Sequence, residues 1–225
     1  PILILGVVLP DGVPLAIQEN ISLTVASLEW LALAQKQGLD LTGLTCHIKV
    51  DSGMGRIGVR NLKDADNLIA GLKALGADVE GIFTHFACAD CENDQMTFEQ
   101  LKRFDNVIEQ LEANGVHIPI RHCANSAAII KYPGMRMNMA RAGIIIYGLY
   151  PSDEVDKDII KLEPVMRLKS HVIYVKTVEP GTTVGYGATF TCERPTRIAT
   201  VSIGYGDGYP RGLSNKGRVL IGSQS

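Results

Sequence analysis

Short apolar runs and amphipathic helical stripes alternate along the first two thirds of the chain. Six apolar runs predict strands at residues 2–6, 21–26, 46–50, 79–86, 120–124 and 144–146. Helix caps and stripes predict helices at residues 27–37, 62–75 and 97–114, and a short helix opening at 125–128. We expect the first and the last of the six strands to be buried. This alternation indicates a parallel α/β sheet, either an open doubly wound sheet or a closed (β/α)8 barrel.

The pattern changes after Pro151. Residues 152–163 form a charged connector, and no helical stripe follows it. The positions after Pro164 alternate with a period of two, and short runs separated by glycine and proline predict strands at 178–188, 197–203 and 218–221. We therefore expect an α/β domain at residues 1–151 and the start of an all-β domain at residues 164–225.

One predicted strand departs from the apolar pattern. Side chains alternate along a strand, so His47, Lys49 and Asp51 share one face. A polar face in a helix-covered parallel sheet is costly unless it opens on water, a ligand or charge partners. Glycines at 53–58, on both sides of Arg56, let the backbone approach a bound group closely. The stretch therefore predicts the floor of an active site.

The same glycine-rich loop also matches the GxGxxG spacing of a dinucleotide fingerprint. Asp78 lies twenty residues beyond Gly58, near the place where the ribose-binding acid is expected. The fingerprint, however, follows an apolar strand and runs directly into a helix. Here the strand is polar, the helix begins only after an Asn61 cap, and Asp78 precedes the next strand. We therefore place a dinucleotide oxidoreductase last among the hypotheses.

The composition is ordinary for a globular protein, with 225 residues, 46% of them hydrophobic and 20% charged. A net charge of −2 gives no basic footprint for nucleic acid. No apolar run approaches the roughly 20 residues that span a bilayer, and the apolar start lacks the leader of a signal peptide. We expect a cytoplasmic protein without nucleic-acid or membrane partners, and Pro1 in place of Met suggests further sequence upstream.

Five cysteines are spread along the chain, at Cys46, Cys88, Cys91, Cys123 and Cys192. An odd and sparse set does not describe a disulfide framework, so we expect a reducing compartment. The spacing of His85, Cys88 and Cys91 is that of metal ligands, but a structural zinc ion takes four ligands and no second local pair supplies the rest. We therefore expect no metal and interpret the two neighbouring thiols as incidental loop residues.

Six segments resemble the motifs of the alanine racemase family, and they occur in the family's order. They are residues 47–58, 84–87, 122–128, 141–148, 184–188 and 203–209. The resemblance implies a (β/α)8 barrel that binds pyridoxal phosphate, followed by a β domain, in a head-to-tail homodimer with shared active sites. It implies an amino-acid racemase that interconverts L-alanine and D-alanine through a pyridoxal-phosphate aldimine and supplies D-alanine for peptidoglycan.

The resemblance also assigns catalytic roles. Two bases act on opposite faces of the substrate, namely the family's Schiff-base lysine and a tyrosine that Tyr186 matches. His85 and Arg141 match residues that stabilise the tyrosine's phenolate, and Arg141 also matches the arginine that donates to the pyridine nitrogen. Tyr205 and Asp207 match residues of the substrate entrance. From the residues alone, Tyr186 could also be a turn tyrosine of a hairpin, and His85 a core histidine.

The cofactor contacts that the resemblance implies are Asn125, Ser126, Arg141, Gly143, Ile144 and Arg56. Ser126 and the backbone N–H groups of Gly143 and Ile144 would hold the phosphate, although Ser126 could equally be a helix cap. Arg56 would contact the cofactor's phenolic oxygen or the substrate carboxylate. Lys49 matches a lysine that is often carbamylated, and the carbamate would hold the arginine; the plain alternative is an ion pair with Asp51.

No residue of the chain matches the family's Schiff-base lysine, which lies upstream of a segment like residues 1–6. A later substrate motif and a phosphate-binding tyrosine of the family would lie beyond residue 225. We therefore interpret the chain as truncated at both ends and expect it to be inactive alone. The alternatives are a pyridoxal-phosphate-dependent amino-acid decarboxylase of the same fold and a non-catalytic cofactor-binding barrel. The sequence does not separate alanine from serine as the substrate.

Overall fold

The structure is a computed structural model that describes residues 2–221. The chain divides into two compact units, Pro1–Val165 and Met166–Ser225. Among the described residues, no helix combines the length and the apolar character that a membrane crossing requires.

The first unit is built on five parallel strands, each hydrogen-bonded to its neighbours in chain order. The strands are β1 (Ile2–Val7), β2 (Ile21–Val25), β3 (Thr45–Lys49), β4 (Asp78–Phe83) and β5 (Ile120–His122). The helices are α1 (Val13–Gln18), α2 (Leu28–Lys36), α3 (Leu62–Ala74), α4 (Gln95–Ala113) and α5 (Ser126–Lys131). The strand order shows no reversal, and a doubly wound sheet needs one, so the order is that of a barrel segment.

Three of the helices begin where the sequence places a capping residue. Ser27 accepts a hydrogen bond from the backbone N–H at the third position of α2, and Asn61 and Asn125 do the same for α3 and α5. The apolar faces of α2, α3 and α4 then pack with the sheet into one hydrophobic core. The single tryptophan, Trp30, is 5% exposed in that core, and its ring N–H donates to the Val8 carbonyl over 2.7 Å. Its fluorescence therefore reports on the first unit.

The second unit contains two antiparallel strand pairs. The strand β6 (Val172–Val178) pairs with β9 (Thr196–Val201), and β7 (Thr183–Val184) pairs with β8 (Phe190–Thr191). No helix longer than a 3-10 turn occurs in the described part of this unit. The sequence predicted a strand over 178–188, but the chain turns at residues 179–182 and again at Gly185, where φ is +78°.

Three further strand predictions differ from the structure. The first strand forms, but it lies at the sheet edge, and Ile2 is 62% exposed. The predicted strand at 144–146 is a 3-10 turn, Ile144–Tyr147, because backbone bonds from Ile146 to Gly143 and from Gly148 to Ile145 close it locally. Residues 218–220 form no strand, and the predicted element there leaves only an isolated bridge at Ile221.

Strands β3 and β4 approach closely at one cross-strand pair. Gly81 lies opposite His47, and a Cβ atom on Gly81 would stand 2.0 Å from Nδ1 of that ring. The ring is 2% exposed, and hydrogen bonds to His122 and Glu80 hold both of its nitrogens. Glycine is therefore required here for steric reasons alone.

We expect Gly81→Ala to lower the free energy of unfolding by about 1–3 kcal/mol or more, because the methyl group overpacks the His47 ring. Urea unfolding followed by Trp30 fluorescence measures the change. The matched control is Gly134→Ala, because a Cβ atom at Gly134 meets nothing within 4 Å. Equal unfolding midpoints for the two variants would contradict the steric argument.

Candidate active site

A cavity of about 360 Å³ opens beyond the carboxyl ends of β4 and β5. Six residues predicted for the site line it, namely His85, Asn125, Ser126, Arg141, Gly143 and Ile144. They come from three separate segments of the chain, which the parallel strands deliver to one edge of the sheet. The carboxyl end of the strands is where barrels place their chemistry.

Arg141 is the most connected side chain at this cavity. Its Nη2 donates to the carbonyl oxygens of Thr84 at 2.8 Å and Cys123 at 3.1 Å, and it lies 3.4 Å from Nδ1 of His85. Its Cζ lies 5.2 Å from the centroid of the Phe83 ring. The Nε atom is buried and has no hydrogen-bond partner. The guanidinium is thus fixed by protein carbonyls, with one donor left unsatisfied.

A buried hydrogen-bond chain leads away from Arg141 across three strands. Its Nη1 lies 2.6 Å from Nδ1 of His122, whose Nε2 lies 2.9 Å from Nδ1 of His47. Nε2 of His47 lies 3.0 Å from a carboxylate oxygen of Glu80, which also accepts from the hydroxyl of Ser22. We call this set, Arg141, His122, His47 and Glu80, the histidine relay.

The proton positions of the histidine relay follow from its two ends. A guanidinium has only N–H donors, so Nδ1 of His122 must accept and its proton must sit on Nε2. That proton donates to Nδ1 of His47, whose own proton then sits on Nε2 and donates to Glu80. Both rings are therefore neutral. Burial lowers the pKa of His122 to about 2, with the charge of Arg141 contributing, and burial also lowers the pKa of His47.

Ser126 and Gly143 join the two segments at the far side of the cavity. The backbone N–H of Gly143 donates to the hydroxyl oxygen of Ser126 over 2.8 Å. Asn125, not Ser126, caps α5, since its side chain accepts from the N–H of Ala128 at 3.1 Å. The alternative interpretation of Ser126 as a simple helix cap is therefore wrong. Its hydroxyl proton is available to donate into the cavity.

Two predicted tyrosines lie in the second unit, each in a 3-10 turn. Tyr186 is 94% exposed and stands between two glycines with φ of +78°. Tyr205 is 62% exposed, and Asp207 in the same turn accepts from the backbone N–H of Gly204 at 2.9 Å. Asp207 thus stabilises its own turn, as its turn-forming sequence indicates.

Two family models match the chain. The model described as alanine racemase, N-terminal domain, matches residues 1–151, and the model described as alanine racemase, C-terminal domain, matches residues 165–225. The chain belongs to the alanine racemase family.

Several relatives are similar over nearly the whole chain. The alanine racemase of Streptococcus thermophilus (strain CNRZ 1066) is 62% identical over 213 residues, which are 95% of this chain and 57% of that protein. The alanine racemase structure from Bacillus anthracis has a TM-score of 0.85 at 38% identity, over 95% of this chain and 56% of that one. The histidine racemase of Leuconostoc mesenteroides subsp. sake has a TM-score of 0.83 at 30% identity, over 93% and 56%.

These comparisons decide the fold that the sequence pattern left open. The alanine racemase fold is a TIM barrel followed by a β domain, and the five parallel strands belong to the barrel. The chain spans about 57% of the length of the Streptococcus thermophilus alanine racemase.

Sequence reasoning missed part of the candidate site. His47 and His122 lie in recognised motifs, but nothing in the sequence pairs them, since 75 residues separate them. Glu80 received no role, although a carboxylate within a predicted apolar strand is a signal that it has a partner. Strand register brings the three together, because β3, β4 and β5 are neighbours in the sheet.

Arg56 and Lys49 behave differently from the residues that line the cavity. Arg56 is exposed and is not part of the lining, but its charge acts on both Lys49 and His85. Lys49 is 2% exposed, and its ammonium donates to the Val50 carbonyl at 2.8 Å. The carboxylate of Asp51 accepts instead from the N–H groups of Gly53 and Gly55. The alternative of a surface ion pair between Lys49 and Asp51 is therefore wrong, because Lys49 is buried, although the two charges attract each other.

Burial lowers the pKa of Lys49 from 10.5 to about 8; the charge of Asp51 opposes the shift, and the charges of Arg141 and Arg56 add to it. The unfolded chain therefore binds more protons than the folded chain between about pH 8 and pH 10.5. Stability rises with pH across that window, and the cost of the buried charge is fully present below it.

We expect Lys49→Met to raise the free energy of unfolding at neutral pH by up to about 3 kcal/mol. The gain should shrink as the pH rises from about 8 to about 10.5, where the parent loses its buried charge as well. Urea unfolding of both chains by Trp30 fluorescence tests this. Lys63→Met, at an exposed position of α3, is the matched control. A gain that is the same at both ends of the window would contradict the assignment.

We also expect His122 to be a neutral Nε2–H tautomer at about pH 6, because burial and the charge of Arg141 lower its pKa to about 2, and His47 to be the same tautomer because its Nδ1 accepts from His122. Long-range nitrogen–proton NMR correlation on 15N-histidine-labelled protein identifies each tautomer, with exposed His171 as the reference ring. Replacing Glu80 with Gln should disturb the His47 signals. A doubly protonated His122 at that pH would overturn the hydrogen-bond directions given above.

Proposed function

We propose that the complete protein containing this chain is an alanine racemase that uses pyridoxal phosphate. The observation that carries the proposal is that four residues from separate segments line the same cavity, namely His85, Ser126, Arg141 and Gly143. The identity of 62% to an alanine racemase supports alanine as the substrate. The histidine racemase of Leuconostoc mesenteroides subsp. sake has the same fold, so the fold by itself does not select alanine.

The residues around the cavity fit the cofactor. The buried Nε of Arg141 is a donor without a partner, and the pyridine nitrogen would satisfy it. Asn125, Ser126, Gly143 and Ile144 would hold the phosphate, and Arg56 would reach the phenolic oxygen or the substrate carboxylate. When bound, the cofactor supplies the electron sink for the pair left at Cα by proton removal.

Arg141 sets the charge at the bottom of the cavity. Burial lowers its pKa to about 10, which still leaves the guanidinium charged at neutral pH. It therefore only donates, and a ring nitrogen facing it stays unprotonated. The carbonyls of Thr84 and Cys123 and the ring of His122 fix the orientation of the guanidinium. Its Nε–H donor is therefore preorganised.

Proton transfer at Cα needs a base on each face of the substrate. We assign one face to Tyr186, and its 94% exposure between two glycines supports a role against another chain. Burial and the charges of Arg141 and Arg56 lower the pKa of His85 to about 4, so that it takes part as a neutral ring. With this assignment we propose a head-to-tail homodimer with shared sites. We also propose that it is a cytoplasmic enzyme that supplies D-alanine for peptidoglycan.

Lys49 is proposed as a carbamylation site. Its lowered pKa, about 8, gives an appreciable neutral fraction at neutral pH, and the neutral amine is the form that reacts with carbon dioxide. The carbamate would be anionic and would attract Arg56, whose charge already acts on this lysine.

We further propose residues 1–151 as the cofactor-binding part, 152–163 as the connector and 164–225 as the start of the β domain.

A chimera tests the activity, with residues 1–225 replacing the equivalent segment of the Streptococcus thermophilus alanine racemase. We expect it to form D-alanine from L-alanine when pyridoxal phosphate is supplied. Tyr186→Phe should reduce racemisation about 100-fold or more, because it removes one base. Tyr174→Phe, which changes an exposed tyrosine of β6, is the matched control.

Deuterium exchange at Cα separates the two bases. In Tyr186→Phe, exchange should persist for one enantiomer and be lost for the other, and an equal loss for both would contradict the assignment. We propose that residues 1–225 alone are inactive, since none of them matches the Schiff-base lysine. A chimera that releases carbon dioxide instead of D-alanine would favour the decarboxylase alternative.

A further inference from the structure

Three sulfur atoms gather at the loop between β4 and α4. Cys88 and Cys91 are the ends of a turn in which the N–H of Cys91 donates to the carbonyl of Cys88 over 3.1 Å. Both cysteines line the same cavity, and the Cys88 thiol contributes to raising the pKa of Cys91. The Sγ atom of Cys88 also lies 3.7 Å from the Sδ atom of Met96. We call Cys88, Cys91 and Met96 the sulfur cluster.

The sulfur cluster faces solvent and has room for an ion. All three residues line a cavity of about 410 Å³, and Glu99 lines it as well. Both cysteines are half-buried, and Met96 is 38% exposed. The cluster is therefore accessible from outside, unlike Cys46 and Cys123, which lie in the core.

Hydrogen bonds from other parts of the first unit hold the loop that carries the thiols in place. The ammonium of Lys131 donates to the carbonyl of Cys91. The hydroxyl of Ser152 donates to the carbonyl of Asp90 at 3.1 Å, and the carboxylate of Glu154 accepts from the N–H of Glu92. Binding of an ion to a loop held in this way costs the chain little conformational entropy, because the fold has already ordered the loop.

The donor set selects the kind of ion. Thiolate and thioether sulfurs prefer soft ions such as Cu(I), whereas a structural zinc site takes four nitrogen or sulfur ligands in a tetrahedron. Only three sulfurs meet here, and no group of three or more metal-binding His, Cys, Asp or Glu side chains occurs among residues 2–221. The negative charges of Asp90 and Glu154, which act on Cys91, favour a cation, although the Lys131 ammonium opposes them in part.

We propose that Cys88, Cys91 and Met96 bind one soft monovalent cation, with Cu(I) as the representative ion. Binding forms two Cu–thiolate bonds and one Cu–thioether bond and releases the two thiol protons, with no change in oxidation state. The proposal does not rest on the proposed racemase activity. The competing chemistry is a Cys88–Cys91 disulfide, which needs an external oxidant such as a small-molecule disulfide and makes no use of Met96.

Anaerobic titration of the reduced chain with Cu(I), buffered by a coloured Cu(I) chelator, tests the proposal. We expect the chain to remove one equivalent of Cu(I) and to show thiolate-to-copper charge-transfer absorption. Met96→Leu keeps the shape of the side chain but removes its sulfur, and should weaken binding at least about tenfold. The matched control is Met166→Leu, which removes an exposed thioether in the second unit and should bind as the parent does.

Cys88→Ser and Cys91→Ser should each abolish stoichiometric binding, while circular dichroism shows that the fold is retained. Equal Cu(I) affinity in the parent and in Met96→Leu would overturn the three-sulfur site. So would tighter binding of Zn(II) than of Cu(I). Failure of the fully reduced chain to take up Cu(I), together with a Cys88–Cys91 disulfide after treatment with oxidised glutathione, would assign these thiols to redox chemistry instead.

Discussion

The site depends on a buried charge that is held in place by neutral groups. Arg141 lies at one end of the histidine relay and the Glu80 carboxylate at the other, with two uncharged imidazoles between them. A guanidinium cannot accept a hydrogen bond, so its presence fixes the proton on every ring down to the carboxylate. The arrangement keeps a cation in a largely desolvated position without a direct ion pair, which would neutralise the positive charge at the cavity.

The parallel sheet explains how one cavity collects residues so distant in the chain. Every β strand of the first unit runs in the same direction, and therefore the segments that follow β4 and β5 emerge at the same edge. His85, Ser126 and Arg141 each come from a different segment but need only their local turn to reach that edge. This arrangement constrains the inside of the sheet. Residue 81 must be glycine, because a Cβ atom there would overlap the His47 ring of the histidine relay.

Much of the fold and part of the site could be predicted from the sequence, because local signals specify them. The caps Ser27 and Asn61 and the amphipathic stripes define helices without reference to the rest of the chain. The prediction of a strand at 144–146 was wrong, because a run of isoleucines is compatible both with a strand and with a turn closed by flanking glycines. The relay could not be predicted, since the contact of His47 with His122 depends on strand register.

The connection between β4 and α4 places the candidate site and the sulfur cluster within a few residues of each other. Its first residues, around His85, contact Arg141 and the cavity, whereas the sulfur cluster follows within a few residues and faces another cavity. In the sequence, Asp90 lies between the two cysteines, and its side chain lines the same cavity as His85. Since loops at this end of a barrel vary without disturbing the sheet, a second binding site can arise there while the relay beneath stays fixed.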